Sequence, residues 1–163
     1  MATNPRGSHS GADPRGSPQF EWVPIGALRP NPRNGRTHSK KQLKQIAASI
    51  REFGFLNPVI ADAHNSVLAG HGRLEAARLI GLTHVPVIRF DHLTPAQKRA
   101  YVIADNKIAE GAGWDFGLLA IELGELMELL PAEGMDVSLT GLDRKSTRLN
   151  SSHRSLSRMP SSA

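Results

Sequence analysis

Apolar and polar positions change rhythm several times along the chain, and each change predicts an element. Residues 20–25 (Phe-Glu-Trp-Val-Pro-Ile) predict a short strand. Two prolines and an Asn-Gly pair predict a loop over 28–36. Ser39, with Gln42 three residues on, reads as a capping box. Leu43, Ile46, Ala47, Ile50 and Phe53 then recur at helical spacing as one buried stripe, and Gly54 ends the helix. Residues 58–61 read as a strand, 62–65 as a turn and 66–69 as its hairpin partner. A helix opening at Gly70-His-Gly-Arg73 is stopped by Gly81. Residues 85–90 form another strand, and Pro86 predicts that it lies at an edge or starts there. Thr94, Pro95 and Gln97 supply an N-cap, an N1 proline and a second capping box for a helix to about Ala109. Gly111 and Gly113 break it. Asp115 caps a last helix with Leu119, Leu123, Leu126 and Leu130 on one face and Glu122, Glu125 and Glu128 on another. Residues 135–142 read as a strand start or a linker.

The turn at 70–73 carries the candidate chemistry. Gly70 and Gly72 can take backbone angles closed to other residues and let a ligand approach the main chain. The free N–H groups of a helix start favour an anion, and the fork of Arg73 suits phosphate oxygens. On a helical wheel Leu74, Ala76, Ala77, Leu79 and Ile80 fill a broad apolar arc, and Arg73 falls inside it. A guanidinium there needs a partner: an internal carboxylate such as Asp105, or a ligand phosphate. His71 reads as a hydrogen-bonding surface residue or as a base, and Asn106 as a ligand contact or a cap for its helix end. No second histidine or carboxylate stands at metal-ligand spacing from His71, so no metal site is expected.

Charge changes the picture less than its total suggests. The net charge is +5, but residues 143–163 hold five bases and one acid, and 1–19 hold two bases and one acid, which leaves 20–142 neutral. Within that part, 20–109 hold 13 bases and six acids, whereas 110–142 hold seven acids and no lysine or arginine. A basic body with an acidic end helix fits a polyanion partner, and Arg33, Arg36, Lys40, Lys41 and Lys44 are the candidate nucleic-acid contacts. Residues 1–19, rich in Gly, Ser, Pro and Arg, are expected to be a disordered tail. Residues 143–163 read as a translated sequencing-library adapter followed by its index and flank, so natural sequence is expected to stop near Leu142. The chain has no cysteine, which excludes disulfides and thiolate chemistry. With no signal segment and no apolar run of membrane-spanning length, a cytoplasmic location is expected.

Five blocks in order carry a family likeness: Pro30-Asn-Pro-Arg-Asn-Gly-Arg36, a helix, Gly54-Phe-Leu-Asn-Pro58, Ala69-Gly-His-Gly-Arg-Leu-Glu-Ala-Ala77 and Gly81-Leu-Thr-His-Val-Pro86. Together they resemble the ParB-like N-terminal domain, over residues 20–110. The resemblance implies an α/β (α+β) fold of the ParB/sulfiredoxin type, a small mixed sheet with flanking helices, here followed by an acidic helical extension over 111–142. In partition members of the superfamily the glycine box and a later Glu-Asn helix bind CTP and magnesium, and the domain has also been described as nuclease-like. The corresponding residues here are Gly70, His71, Gly72 and Arg73, then Asp105 and Asn106. The box lacks the family's acid and one arginine, and Ala109 replaces the later arginine, so binding of a nucleoside triphosphate with Mg2+ is implied rather than hydrolysis. Gly113-Trp-Asp115 and Ser138-Leu-Thr-Gly141 are similar to ParB-like domains upstream of bacterial and phage DNA methylases. The expected function is a nucleotide- and DNA-associated module, the N-terminal regulatory fragment of a DNA methyltransferase or related protein. A metal-dependent nuclease and a partition-type CTP-binding protein are the alternatives. Expected partners are DNA and a nucleotide, with a homodimer open and no membrane.

Overall fold

The computed structural model describes residues 19–142. Four strands form one mixed sheet in the order β1-β4-β2-β3. They are β1 (Gln19–Pro24), β2 (Val59–Ala61), β3 (Val67–Ala69) and β4 (His84–Arg89). β4 runs antiparallel to β1 and parallel to β2, while β2 and β3 make the expected antiparallel hairpin. Gln19 already belongs to β1, one residue ahead of the expected start; the expectations for 1–18 and 143–163 lie outside the described residues.

Pro86 does not mark an edge, because β4 has a neighbour on each side. The reason it fits is register. The Phe90 N–H bonds to the Ala61 carbonyl on the β2 side. Alternation along a strand therefore turns the Pro86 nitrogen the same way, and β2 pairs with β4 only from Val87 onward. No ladder bond is lost there, so a central strand tolerates the proline.

Helix α1 (Lys40–Phe53) and helix α2 (His71–Leu79) pack on each other beside the sheet. The pair Ala76-Ala77 explains how. Ala77 joins the sheet-side core with Val59, Val67, Leu74, Val85 and Val87, and Ala76 joins Ala47 and Ile50 of α1. Two small residues side by side let α2 lie close to both layers. Leu79 and Phe53, expected in the apolar stripes, are exposed instead at the helix ends. Gly54 (φ 79°) closes α1 with its N–H on the Ile50 carbonyl.

Helix α3 (Pro95–Glu110) has the full capping box expected of Thr94 and Gln97. At α1 only half a box forms: Ser39 Oγ accepts from the Gln42 N–H, but the Gln42 side chain turns to His38. α3 rests on β3 and buries only Val102 among its own residues. Its start is held by Lys98 Nζ, 2.7 Å from the buried Asp62 carboxylate, and its end by a surface ion pair between Arg36 and Glu110. Asp115 caps the acidic helix α4 (Phe116–Leu129), with Leu123 buried and Glu122, Glu125 and Glu128 exposed. Residues 135–142 form neither a strand nor a free linker: a 3-10 turn, Val137–Thr140, buries Val137 and packs against α1.

Candidate functional site

The glycine turn is where three separate segments converge. Gly70 caps α2 in the left-handed region at φ 91°, and its position is crowded as well as twisted. A Cβ there would stand 3.0 Å from Arg73 Nη2 and 3.3 Å from the Val59 α-carbon. The guanidinium of Arg73 thus lies over the turn that begins its own helix. Gly72 is buried, and a Cβ on it would stand 2.9 Å from His38 Cε1.

The loop that carries His38 is brought in by backbone bonds. Arg29 adds alongside β3, donating to the Asn65 carbonyl (2.8 Å) and accepting from the Val67 N–H (2.9 Å). Further on, the Asn31 N–H donates to His71 Nε2 at 3.1 Å. Nε2 of His71 therefore acts as an acceptor in a neutral ring. Burial, and next the nearby His38, hold the His71 pKa below the usual value, against a smaller opposing pull from Glu75. His71 is a half-buried hydrogen-bonding residue, the tie between the loop and α2.

Between loop, α2 and α3 lies a cavity of about 160 Å³ lined by Asn34, Arg36, His38, Gly70, His71, Gly72, Arg73, Asp105 and Asn106, with Ile46 and Ala69. All six residues expected to bind phosphate or nucleotide line it: Gly70, His71, Gly72, Arg73, Asp105 and Asn106. A second cavity of about 340 Å³ shares Asn34, Arg36 and Asn106 and adds Arg33, Arg99 and Lys107.

Arg73 is the unusual member. Its Nη2 donates to the Pro58 carbonyl at 3.1 Å, while its buried Nε has no hydrogen-bond partner. Burial lowers its pKa, opposed first by the charge of Asp105 and then by Tyr101. Yet Asp105 forms no ion pair with it; the Tyr101 hydroxyl donates to Asp105 at 3.4 Å. Burial, then the charge of Asp105 and the bond to it, raise the Tyr101 pKa. Of the two partners expected for Arg73, the internal carboxylate does not take the role. Asn106 caps nothing: its Nδ2 donates to the Val102 carbonyl one turn back in α3 (2.8 Å).

The five candidate nucleic-acid cations divide. Arg33, Lys40, Lys41 and Lys44 are exposed at the loop and the start of α1. Arg36 is engaged with Glu110, whose pKa Lys107 and then Arg36 hold down. Sequence reasoning missed Asn34, His38, Arg99 and Lys107. No local pattern marks them, since His38 meets Gly72 only through the fold. Among the described residues no group of three His, Cys, Asp or Glu side chains could hold a metal ion. No helix among them is long and apolar enough to cross a membrane.

Residues 11–106 match the family described as the ParB N-terminal domain. The chain is 43% identical over 78 residues to the ParB-like nuclease domain-containing protein YnaK of Escherichia coli K12, covering 48% of this chain and 90% of that protein. It is 34% identical over 88 residues to the chromosome-partitioning protein Spo0J of Thermus thermophilus, covering 52% of this chain and 32% of that one. It therefore spans most of the first relative but about a third of the second. Among solved structures, the C-terminally truncated chromosome-partitioning protein ParB of Caulobacter crescentus, complexed with CTP-γ-S, is similar in fold. There the TM-score is 0.62 at 23% identity, over 85% of this chain and 88% of that one.

Proposed function

The chain belongs to the ParB N-terminal domain family, and from that premise we propose that it is a nucleotide-binding, DNA-associated module, the regulatory N-terminal part of a DNA methyltransferase or related DNA-modifying protein. One observation carries the nucleotide reading: a buried Arg73 Nε with no partner, above a glycine turn at a helix start. A buried unpaired guanidinium nitrogen costs stability, and a phosphate oxygen is the partner its geometry suits. The Caulobacter relative, solved with a CTP analogue, makes CTP the first ligand to try. The N–H groups at the start of α2 and Arg73 would hold the phosphates. Asn106 would line the opposite wall, and Asp105 offers a carboxylate to an accompanying Mg2+.

Binding without turnover is the better reading of the same residues. His71, which the sequence leaves open as a hydrogen-bonding residue or a base, spends its Nε2 on the Asn31 N–H. Exposed Arg33, Lys40, Lys41 and Lys44 supply a surface for DNA phosphates, and the methylase association rests on the Gly113-Trp-Asp115 and Ser138-Leu-Thr-Gly141 likeness.

Calorimetric titration of the full chain with CTP and with ATP, each with Mg2+, tests this reading. Arg73→Ala should weaken binding about 10- to 100-fold, the range of a charge-assisted hydrogen bond. No heat with either nucleotide would overturn the nucleotide reading, and metal-dependent cutting of DNA by the purified chain would replace it with a nuclease.

A further inference from the structure

The Asn34-Gly35 pair in the loop ahead of α1 sets up a reaction that the other asparagines among the described residues cannot follow as readily. An asparagine converts to aspartate when the backbone nitrogen of the next residue attacks its side-chain carbonyl carbon, so a free N–H must follow it. Asn31 and Asn57 precede Pro32 and Pro58, which have no N–H. After Asn65, the Ser66 N–H is held by Asp62 Oδ1 at 2.9 Å. After Asn106, the Lys107 N–H lies inside α3 and belongs to the helix ladder. Asn34 is followed by an amide whose N–H has no acceptor among the described residues, on a residue with no side chain to hinder it. Gly35 is exposed, and a Cβ built on it would meet nothing beyond its chain neighbours within 4 Å. The Asn34 side chain is held beside it by both ends: Oδ1 accepts from the Arg36 N–H and Nδ2 donates to the Arg36 carbonyl, each at 3.3 Å. The oxygen that must take up negative charge in the attack therefore already faces a donor.

We propose that Asn34 is a modification site, converting through a cyclic imide, and that the carboxylate it gains turns both cavities against anions. Hydroxide removes the Gly35 amide proton, the nitrogen adds to Asn34 Cγ, and the carbonyl electron pair moves onto Oδ1 beside the Arg36 N–H. The Cγ–Nδ2 bond then breaks, and its nitrogen takes protons from water and leaves as ammonia. Water opens the five-membered imide at either carbonyl, which leaves aspartate or isoaspartate at position 34. Asn34 lines both cavities beside Arg36, with Arg33, Arg99 and Lys107 in one and Arg73 in the other. A negative charge there engages those cations and repels a phosphate brought among them. The isoaspartate form also lengthens the loop backbone ahead of Arg36 and His38. The conversion stands on the loop alone; its effect on CTP rests on the nucleotide reading above.

Peptide mass mapping of the full chain, aged in mildly alkaline buffer, scores the conversion, and calorimetric titration with CTP and with inorganic pyrophosphate scores its effect. The mass gain from exchanging NH2 for OH should build up at Asn34 ahead of Asn65 and Asn106, at a rate proportional to hydroxide, with isoaspartate among the products. Gly35→Ala has room to fold and should slow the conversion severalfold, because its Cβ crowds the attacking nitrogen. Asn34→Asp carries the product charge without ageing and should bind both probes about tenfold more weakly than the wild type, whereas the uncharged Asn34→Gln should stay close to it. An Asn34 that converts no faster than Asn65 and Asn106, or at the same rate in Gly35→Ala, overturns the modification site. Equal affinity of Asn34→Asp and Asn34→Gln overturns the effect on anions. A wild type that binds neither probe overturns the nucleotide reading and that effect with it, while the mass map still scores the conversion.

Discussion

At the scale of single residues, the turn at the site rests on two glycines, Gly70 and Gly72, at which an added Cβ would meet a neighbour. Gly70 combines a left-handed φ of 91° with the Arg73 guanidinium 3.0 Å from where a Cβ would stand. Gly70→Ala should therefore lose about 1–3 kcal/mol of stability in urea unfolding, from backbone strain plus displacement of the guanidinium. Gly72→Ala should cost less, because only a side chain must shift, but it pushes His38 off its place and should weaken CTP binding in the same titration. Asp62 is the one buried charged residue among the described residues. It is 5% exposed; Oδ1 accepts the N–H groups of His64 and Ser66, and Oδ2 meets Lys98. Burial pushes its pKa up, but Lys98 and the two N–H donors together outweigh burial and hold it below the ordinary value. The unfolded chain thus binds a proton here at a higher pH than the folded one does. The stabilisation is complete above roughly pH 4, the unfolded value, and is lost as pH falls through the lower folded value. Asp62→Asn should destabilise the protein at pH 7 and flatten the acid limb of its stability–pH curve, as followed by urea midpoints from pH 7 to pH 2.5.

At the scale of elements, helices with strong local signals were readable down to their caps: Ser39 and Gly54 bound α1, and Asp115 opens α4. Thr94, Pro95 and Gln97 specify the α3 start through bonds within four residues, and the capping box forms as expected. Gln42 offers the same pattern at α1, yet a histidine four residues before it captures its side chain. Competition of that kind leaves no periodic trace. Pro86 misled for a related reason: which neighbour a strand nitrogen faces, and where that neighbour begins, is a property of the sheet rather than of the strand. The glycine turn was legible because its demands are local, whereas His38, Asn34, Arg99 and Lys107 reach the two cavities only once the loop docks on β3 and α3 folds over it. α3 itself is thinly attached. It buries Val102 alone and leaves Ile103 and Ile108 exposed, with one partly buried ion pair and one surface pair at its two ends. Its central amides should exchange hydrogen faster than those of β4, and Val102→Ala should increase that exchange while leaving β4 protection nearly unchanged. Equal protection of α3 and β4 in the wild type would show that α3 is held as firmly as the sheet.

At the scale of the whole molecule, the near-neutral sum over 20–142 conceals a separation of charge. Thirteen bases and six acids occupy 20–109, and seven acids without a base occupy 110–142. Some of the basic excess is consumed internally: Arg36 pairs with Glu110, Arg89 with Glu21 and Lys98 with Asp62. What remains at the loop and the start of α1 is Arg29, Arg33, Lys40, Lys41 and Lys44, all exposed. Pairs at the surface contribute little to stability, so neutralising the three lysines should barely move the unfolding midpoint. Their effect belongs to long-range attraction instead. If they meet DNA phosphates, the triple variant Lys40→Ala, Lys41→Ala, Lys44→Ala should bind duplex DNA more weakly whatever its sequence. Its log affinity should also fall less steeply with log salt, by about 0.9 for each phosphate contact removed. The acidic face of α4 predicts the opposite sign by the same physics. Replacing Glu122, Glu125 and Glu128 with Gln removes repulsion, so DNA binding should strengthen at low salt, and the gain should vanish as the Debye length shortens below the distance between helix and DNA. Fluorescence anisotropy on one duplex across a salt series reads both. A lysine variant with an unchanged salt slope would place the DNA surface elsewhere on the molecule, whatever the glutamate variant did.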